Sequence, residues 1–128
     1  MNPITREWVD KAEEDWVVAQ TMARKRKQPA HNAVCNHAQQ CAEKYLKARL
    51  HEASLAFKKT HDLEELLQLT LPLEPTWQAL LTDLQYLNDF AVDYRYPGAN
   101  ATKGDATKAV KSCRHVRKVI RTSFGLPT

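Results

Sequence analysis

A histidine, a glutamine and a lysine recur on one side of a predicted helix in the first half of the chain. His37 lies three positions before Gln40 and seven positions before Lys44, so one helix side can present all three side chains. An imidazole can donate or accept a proton near neutral pH. The pattern fits a polar site that faces a cleft, and it fits structural hydrogen bonds between helices equally well.

A second histidine stands at a predicted helix start. His61 is followed by Asp62 and preceded by Thr60, whose hydroxyl can cap the first turn of a helix. His61 can therefore be a hydrogen-bonded part of the helix start. Alternatively, it can contribute to an anion site, because the N–H groups at a helix N-terminus bind phosphate. The histidines of the chain lack the spacing of metal ligands on a helix, and we predict no metal site.

Length and composition limit the class of protein. The chain has 128 residues, enough for one domain with a real core, and we predict a single domain over residues 1–128. Only 3 glycines and 27% charged residues favour helices over sheets. No apolar run approaches the roughly 18 residues needed to span a bilayer. The start lacks the apolar region of a signal peptide. We therefore expect a cytoplasmic protein with no membrane association. We predict no cofactor.

Three cysteines lie inside helical patterns, at Cys35, Cys41 and Cys113. An odd number of cysteines in a chain without an export signal argues against a disulfide framework. Cys35 and Cys41 are also not arranged as a zinc-binding CxxC pair. We interpret all three as small apolar or half-buried residues.

Basic residues form two blocks in a chain whose net charge is +4. Each block can complement a helix dipole at a C-terminus, or it can face phosphate groups. The first block is the run from Arg24 to Lys27, and the second comprises Lys108, Lys111, Arg114, Arg117, Lys118 and Arg121.

Apolar residues repeat at intervals of three and four, which predicts five helices. Four of them cover about residues 5–25, 30–53, 61–70 and 103–124. The remaining one, the fourth in the chain, begins at residue 75 and ends near residues 93–96. Asn2 or Thr5 can cap the first helix, and Thr102 with Asp105 fits a capping box before the fifth. No strand pattern appears. Long helices joined by short loops predict an all-α fold, an up-and-down antiparallel bundle of four to five helices.

Tryptophans are expected to anchor this bundle. Trp8 and Trp16 lie in the apolar stripe of the first helix together with Ala23, and Trp77 lies in that of the fourth. We interpret the three tryptophans as core or dimer-interface residues.

The ordered set of motifs resembles the HEPN family, named for higher eukaryotes and prokaryotes nucleotide-binding. The likeness covers almost the whole chain. It rests on Trp8, Ala12, Asp15 and Trp16, on the segment from His37 to Ala48, on Thr60-His61-Asp62-Leu63, and on Arg95-Tyr96-Pro97-Gly98.

This resemblance implies a bundle of four to five helices that pairs into a homodimer. Small prokaryotic members are often encoded beside a minimal nucleotidyltransferase, with which they form a toxin–antitoxin pair. Many members are metal-independent ribonucleases that carry an arginine followed, after four to six residues, by a histidine. Arg95 has the expected position, but the next histidine of this chain is His115. Members with Arg-Tyr-Pro at this point are similar to the branch described as nucleotide-binding.

The resemblance therefore makes Arg95 the first candidate for a phosphate contact, which suits the bidentate geometry of a guanidinium. A surface arginine that complements a helix dipole is the alternative. Tyr94 and Tyr96 can stack on a base or be modified by the partner enzyme, and packing at the bundle end is an equal alternative.

Three hypotheses follow from these residues. The first is a protein that binds nucleotide or RNA through Arg95, Tyr96, Tyr94, His37, Gln40 and Lys44. The second is an endoribonuclease toxin that uses Arg95 with a noncanonical catalytic partner such as Tyr96, His37 or His61. The third is a non-catalytic protein-interaction module. The sequence leaves open whether the chain is an enzyme.

Overall fold

The computed structural model describes residues 1–91 and 97–128 of the chain. Within these residues the fold is all helical, without a strand, and the prediction of an all-α helical bundle is confirmed. The elements are α1 (Pro3–Ala23), α2 (His31–Glu52), α3 (Leu63–Thr70), a 3₁₀ helix (Pro75–Leu80), α4 (Leu81–Asn88) and α5 (Lys103–Ser123).

The helix starts depend on side chains that accept hydrogen bonds from free backbone N–H groups. Asn2 caps α1, since its side chain accepts a 2.8 Å bond from the backbone N–H of Thr5. Asn2, one of the two residues predicted for this role, is therefore the cap. Thr102 and Asp105 form the predicted capping box at the start of α5.

The start of α3 differs from the prediction. Asp62, not Thr60, is the N-cap, and its carboxylate accepts from the backbone N–H groups of Glu64 and Glu65. Thr60 instead accepts a bond from the backbone N–H of Asp62. The helix begins two residues later than expected because a carboxylate can accept two N–H bonds at once.

The predicted fourth helix is divided and ends earlier within the described residues. Its first part, Pro75–Leu80, winds as a 3₁₀ helix, and α4 ends at Asn88. The side chain of Asn88 accepts from the backbone N–H of Leu63 and donates to Asp62. Asn88 thus connects the end of α4 to the start of α3, and turn geometry follows it.

Helix α2 lies at the centre and packs against α1, α3, α4 and α5. Trp16 and Trp77 are buried in the core as predicted, whereas Trp8 is half-buried and meets the ring of Phe57 edge-on. Ala23 is exposed, contrary to its assignment to the inward stripe, because α1 ends there. All three cysteines are fully buried, which agrees with their interpretation as small apolar residues rather than half-buried ones.

Among the described residues, no helix has the length and apolar character needed to cross a membrane.

Candidate functional site

One face of α2 carries polar side chains into the interior of the protein. Gln39, Glu43 and Lys47 are each at most 5% exposed. Buried charges are costly unless they are paired and hydrogen-bonded, so this face must find partners on neighbouring helices. These three side chains contact one another and His61 at the start of α3. Two neighbouring polar residues of α2, His37 and Lys44, contact α1 instead.

The group towards α1 centres on Asp15. The Asp15 carboxylate accepts from Nδ1 of His37 at 2.8 Å and from Nζ of Lys44 at 2.5 Å. The Asp15 side chain is only 8% exposed, while those of His37 and Lys44 are 32% and 24% exposed. We call these three residues the Asp15 cluster. In this cluster, one buried carboxylate contacts two partly exposed side chains, an imidazole and an ammonium group.

Hydrogen bonding fixes which nitrogen of His37 is available. An ionised carboxylate only accepts, so Nδ1 of His37 must donate to Asp15. Nε2 is then the ring nitrogen left to contact a ligand, as acceptor when the ring is neutral and as donor when it is protonated. This arrangement can bind an anion through Lys44, and it can transfer a proton at Nε2 of His37.

Gln40 lies beside this cluster but belongs to a different hydrogen-bonded chain. It donates to the side chain of Asn36 at 2.5 Å, and Asn36 donates to the backbone carbonyl of Phe90 at 3.3 Å. One turn earlier, Asn32 accepts from the backbone N–H of Ala101 at 2.6 Å. Two asparagines on successive turns of α2 therefore hold the residues before and after positions 92–96.

Arg95, Tyr94 and Tyr96 fall at positions 92–96, outside the residues that the structure describes. Their predicted contacts with phosphate and base stay predictions.

The second group lies towards α3 and contains His61. Glu43 accepts from Nζ of Lys47 at 3.1 Å and from Nδ1 of His61 at 2.8 Å. Nζ of Lys47 also lies 5.6 Å from the ring centroid of Trp8, a cation–π distance. The His61 side chain is 65% exposed, so it lies at the surface beside the buried ion pair of Glu43 and Lys47.

The predicted alternative of an anion site at the start of α3 meets a direct obstacle. The Asp62 carboxylate already accepts from the first free N–H groups of that helix. A phosphate there would have to displace Asp62 and would face its negative charge. The geometry favours the other interpretation of His61, a hydrogen-bonded residue at the helix start.

A third cluster uses part of the basic block on α5. Glu13 accepts from Arg117 at 2.7 and 2.8 Å and from the hydroxyl of Tyr45, and Arg121 donates to that hydroxyl at 3.0 Å. Arg117 and Arg121 are each only 12% exposed. The cluster connects α1, α2 and α5, so these two arginines are structural and do not form a free phosphate-facing surface.

Burial and charge act in opposite directions on Glu13. Burial alone would raise its pKa, but hydrogen bonds from Arg117 and Tyr45, with the charges of Arg117 and Arg121, outweigh it. The pKa of Glu13 therefore lies below its ordinary value of 4.5. The carboxylate stays charged, as the paired arginines require.

The cysteines are poor candidates for nucleophilic chemistry. Burial raises the pKa of Cys35 to about 12, and burial with a hydrogen bond to Cys113 raises that of Cys41 well above 9.0. A thiol attacks as its thiolate, so these side chains are inert near neutral pH.

Among the residues that the sequence predicted for the site, His37 and Lys44 contact the same carboxylate. Gln40 donates to Asn36 instead, and His61 contacts Glu43. The sequence assigned no site role to Asp15, the residue that joins His37 to Lys44. A signal was present, because Asp15 falls within the apolar stripe between Ala12 and Trp16. An acidic residue at a core position needs a cationic partner.

Comparisons with known proteins agree with the fold. Residues 5–123 match the family model described as the HEPN domain. The crystal structure of ST0689, an archaeal HEPN homologue, superposes with a TM-score of 0.75 at 21% sequence identity. The match covers 93% of this chain and 96% of that chain. At this identity the likeness concerns the fold alone. No curated protein sequence gives a significant match.

Proposed function

The chain belongs to the HEPN domain family, and from this premise we propose that it binds a nucleotide or RNA at the Asp15 cluster. The observation that carries the proposal is the pair of hydrogen bonds from His37 and Lys44 to the buried Asp15. Two bonds orient two surface groups before any ligand arrives, which lowers the entropic cost of binding. The charge of Lys44 is balanced by Asp15, so Lys44 contributes oriented N–H donors for a phosphate, and Nε2 of His37 supplies a second contact.

Arg95, Tyr94 and Tyr96 complete the proposed site, with Gln40 beside it. A guanidinium binds phosphate with two parallel hydrogen bonds, and a tyrosine ring stacks on a base. Support for these residues comes from the family pattern, since positions 92–96 lie outside the described part of the chain.

The proposed biological setting also follows from family membership. We propose that residues 1–128 form a single domain in a cytoplasmic homodimer that acts with a nucleotidyltransferase as a toxin–antitoxin pair. A gene for a small nucleotidyltransferase in the adjacent reading frame would support this setting. Size-exclusion chromatography with light scattering tests the homodimer.

Titration of the purified protein with ATP and with a short RNA tests the binding proposal. We expect saturable binding of at least one of them at low salt, and about tenfold weaker binding for Lys44→Met and Arg95→Ala, a loss of about 1.4 kcal/mol. Lys59→Met is the matched control, because Lys59 is exposed and lies on a loop. If the folded wild-type protein binds neither ligand, the proposal is wrong.

A second candidate function is metal-independent cleavage of RNA, and the geometry of His37 favours it. A histidine held at Nδ1 by a carboxylate can transfer protons at Nε2, as a general acid–base catalyst does. In this mechanism Arg95 stabilises the phosphate charge, and Tyr96 or His61 are the other predicted catalytic residues.

RNA cleavage and growth arrest should then both disappear in His37→Ala and in Arg95→Ala. Intact RNA after long incubation with folded wild-type protein in the presence of a chelator would exclude this candidate.

A further inference from the structure

Two surface clefts meet at the start of α5. One, of about 870 Å³, lies between α4 and α5 and is lined by Lys103, Lys108 and Lys111. The other, of about 450 Å³, lies between the end of α1 and the start of α5 and is lined by Arg24, Lys25 and Arg26. Lys103 and Thr107 line both clefts, which makes the two clefts one continuous surface.

This surface brings together two basic segments that are far apart in the sequence. We call it the α5 basic surface and define it by Arg24, Lys25, Arg26, Lys103, Lys108 and Lys111. All six residues are exposed.

In residues 1–91 and 97–128, the carboxylates near the α5 basic surface already have partners, and none of them forms a salt bridge with its cations. Asp83 is the carboxylate among the described residues that line the two clefts, and it already pairs with His115 at 2.6 Å. Within the described part of the chain, none of the six cations has a salt bridge. Lys108 lies 4.2 Å from the ring centroid of Tyr86, and its charge also interacts with the Asp105 carboxylate, which caps the first turn of α5.

The C-terminal half of α5 behaves differently. There Arg117 and Arg121 contact Glu13, so their charge is locally compensated. Arg114 and Lys118 in this half are exposed and have no salt bridge among the described residues, but they line neither of the two clefts. The α5 cations that line the clefts are Lys103, Lys108 and Lys111, and the positive end of the helix dipole adds to the charge of Lys103.

We propose that the α5 basic surface binds the phosphodiester backbone of a single nucleic-acid strand, an inference that rests on the proposed function and adds a second contact surface to the Asp15 cluster. Lys103 and Lys111 are separated by about 12 Å along the helix axis, at 1.5 Å per residue. The cations of the α1–α2 loop lengthen the surface further. A row of unpaired cations of this extent matches several successive phosphates, and such contacts depend on backbone charge rather than base identity.

The double substitution Lys103→Glu with Lys111→Glu tests this inference. Both side chains are exposed, and a glutamate in the first turn of a helix is favourable, so the variant should fold. The control is Lys59→Glu with Lys118→Glu, which changes the net charge equally outside the two clefts. Fluorescence anisotropy measures binding of a 5′-labelled RNA of about 20 nucleotides, of the DNA with the same sequence, and of ATP.

We expect the Lys103→Glu, Lys111→Glu variant to bind both strands at least tenfold more weakly than the control and to retain ATP affinity. Its plot of log K against log salt should flatten by about 0.7 for each phosphate that the variant no longer neutralises.

Equal strand binding by the double variant and the control would overturn the inference while leaving the proposed function in place. A loss for RNA but not for DNA would also overturn it, because a contact to phosphates does not distinguish the two sugars. Failure of the wild-type protein to bind RNA and ATP would instead refute the proposed function.

Discussion

Nδ1 of His37 donates a hydrogen bond of 2.8 Å to Asp15, which also accepts from Lys44. One buried carboxylate on α1 therefore orients two surface groups that are seven positions apart on α2. Such a connection joins the two helices, and in the proposed function it also orients the two groups for an anionic ligand.

Asp15→Asn should weaken nucleotide binding. Asparagine has nearly the same shape, but it removes the charge that holds His37 and Lys44. We expect about tenfold lower affinity, corresponding to about 1.4 kcal/mol, and a free energy of unfolding lower by about 1–3 kcal/mol. Isothermal titration and urea unfolding measure the two effects. Asp10→Asn, an exposed change on the same helix, should alter neither. Unchanged affinity in Asp15→Asn would separate the cluster from ligand binding.

Glu13→Gln should make the protein less stable at neutral pH but much less so in acid. The pKa of Glu13 is lowered in the folded state, so its stabilising contribution is complete above about pH 4.5. That contribution is lost as the pH falls through the folded-state pKa. We expect Glu13→Gln to cost about 1–3 kcal/mol at pH 7 because it weakens charged hydrogen bonds with Arg117.

Urea unfolding of the wild type and Glu13→Gln at pH 7 and pH 3 measures this difference. The exposed neighbour Glu14 provides the control, and Glu14→Gln should follow the wild type at both pH values. An equal cost of Glu13→Gln at pH 7 and pH 3 would contradict the assigned pKa direction.

The buried ion pair of Glu43 and Lys47 should show strong coupling. Lys47→Met leaves the Glu43 charge in the interior with His61 and Gln39 as its remaining partners, and we expect a loss of about 3–5 kcal/mol. Adding Glu43→Leu removes the uncompensated charge, so the double variant should be more stable than Lys47→Met alone. A double-mutant cycle from urea unfolding measures the coupling. Additive losses would show that the two charges do not depend on each other.

Thr102→Ala should weaken the start of α5. The Thr102 hydroxyl accepts from the backbone N–H of Asp105 at 3.0 Å, and the Asp105 carboxylate accepts from the backbone N–H of Thr102 at 2.9 Å. Loss of the hydroxyl should cost about 1 kcal/mol of unfolding free energy. Thr102→Ser keeps the hydroxyl and should stay close to the wild type in thermal unfolding. Equal melting temperatures of the alanine and serine variants would argue against the capping box.

Local sequence rules were sufficient for much of the fold. Apolar spacing predicted α1, α2 and α5 to within about two residues of their ends, because these long helices carry a continuous apolar stripe. The end of the fourth helix was predicted near residues 93–96 because Pro97-Gly98 cannot continue a helix, whereas α4 ends at Asn88. Local sequence rules cannot predict that the Asn88 side chain forms hydrogen bonds with Asp62 and Leu63 at the start of α3.

The candidate site was predictable only in part. His37 and Lys44 were recognisable from their types and spacing on one helix, and family membership followed from motifs in order along the chain. Their partner Asp15 lies on another helix. The sequence showed that it was an acidic residue in an apolar stripe, without showing which cation it would meet.

The sequence by itself therefore determined the helical class, the family and the residue types available for binding phosphate, because these depend on local periodicity and on motif order. The tertiary structure decided which charges are paired and which are free. Arg117 and Lys111 belong to the same basic block of α5, yet packing directs Arg117 towards Glu13 and leaves Lys111 on an open cleft. Helix packing alone makes that distinction, since it fixes which side of α5 meets α1.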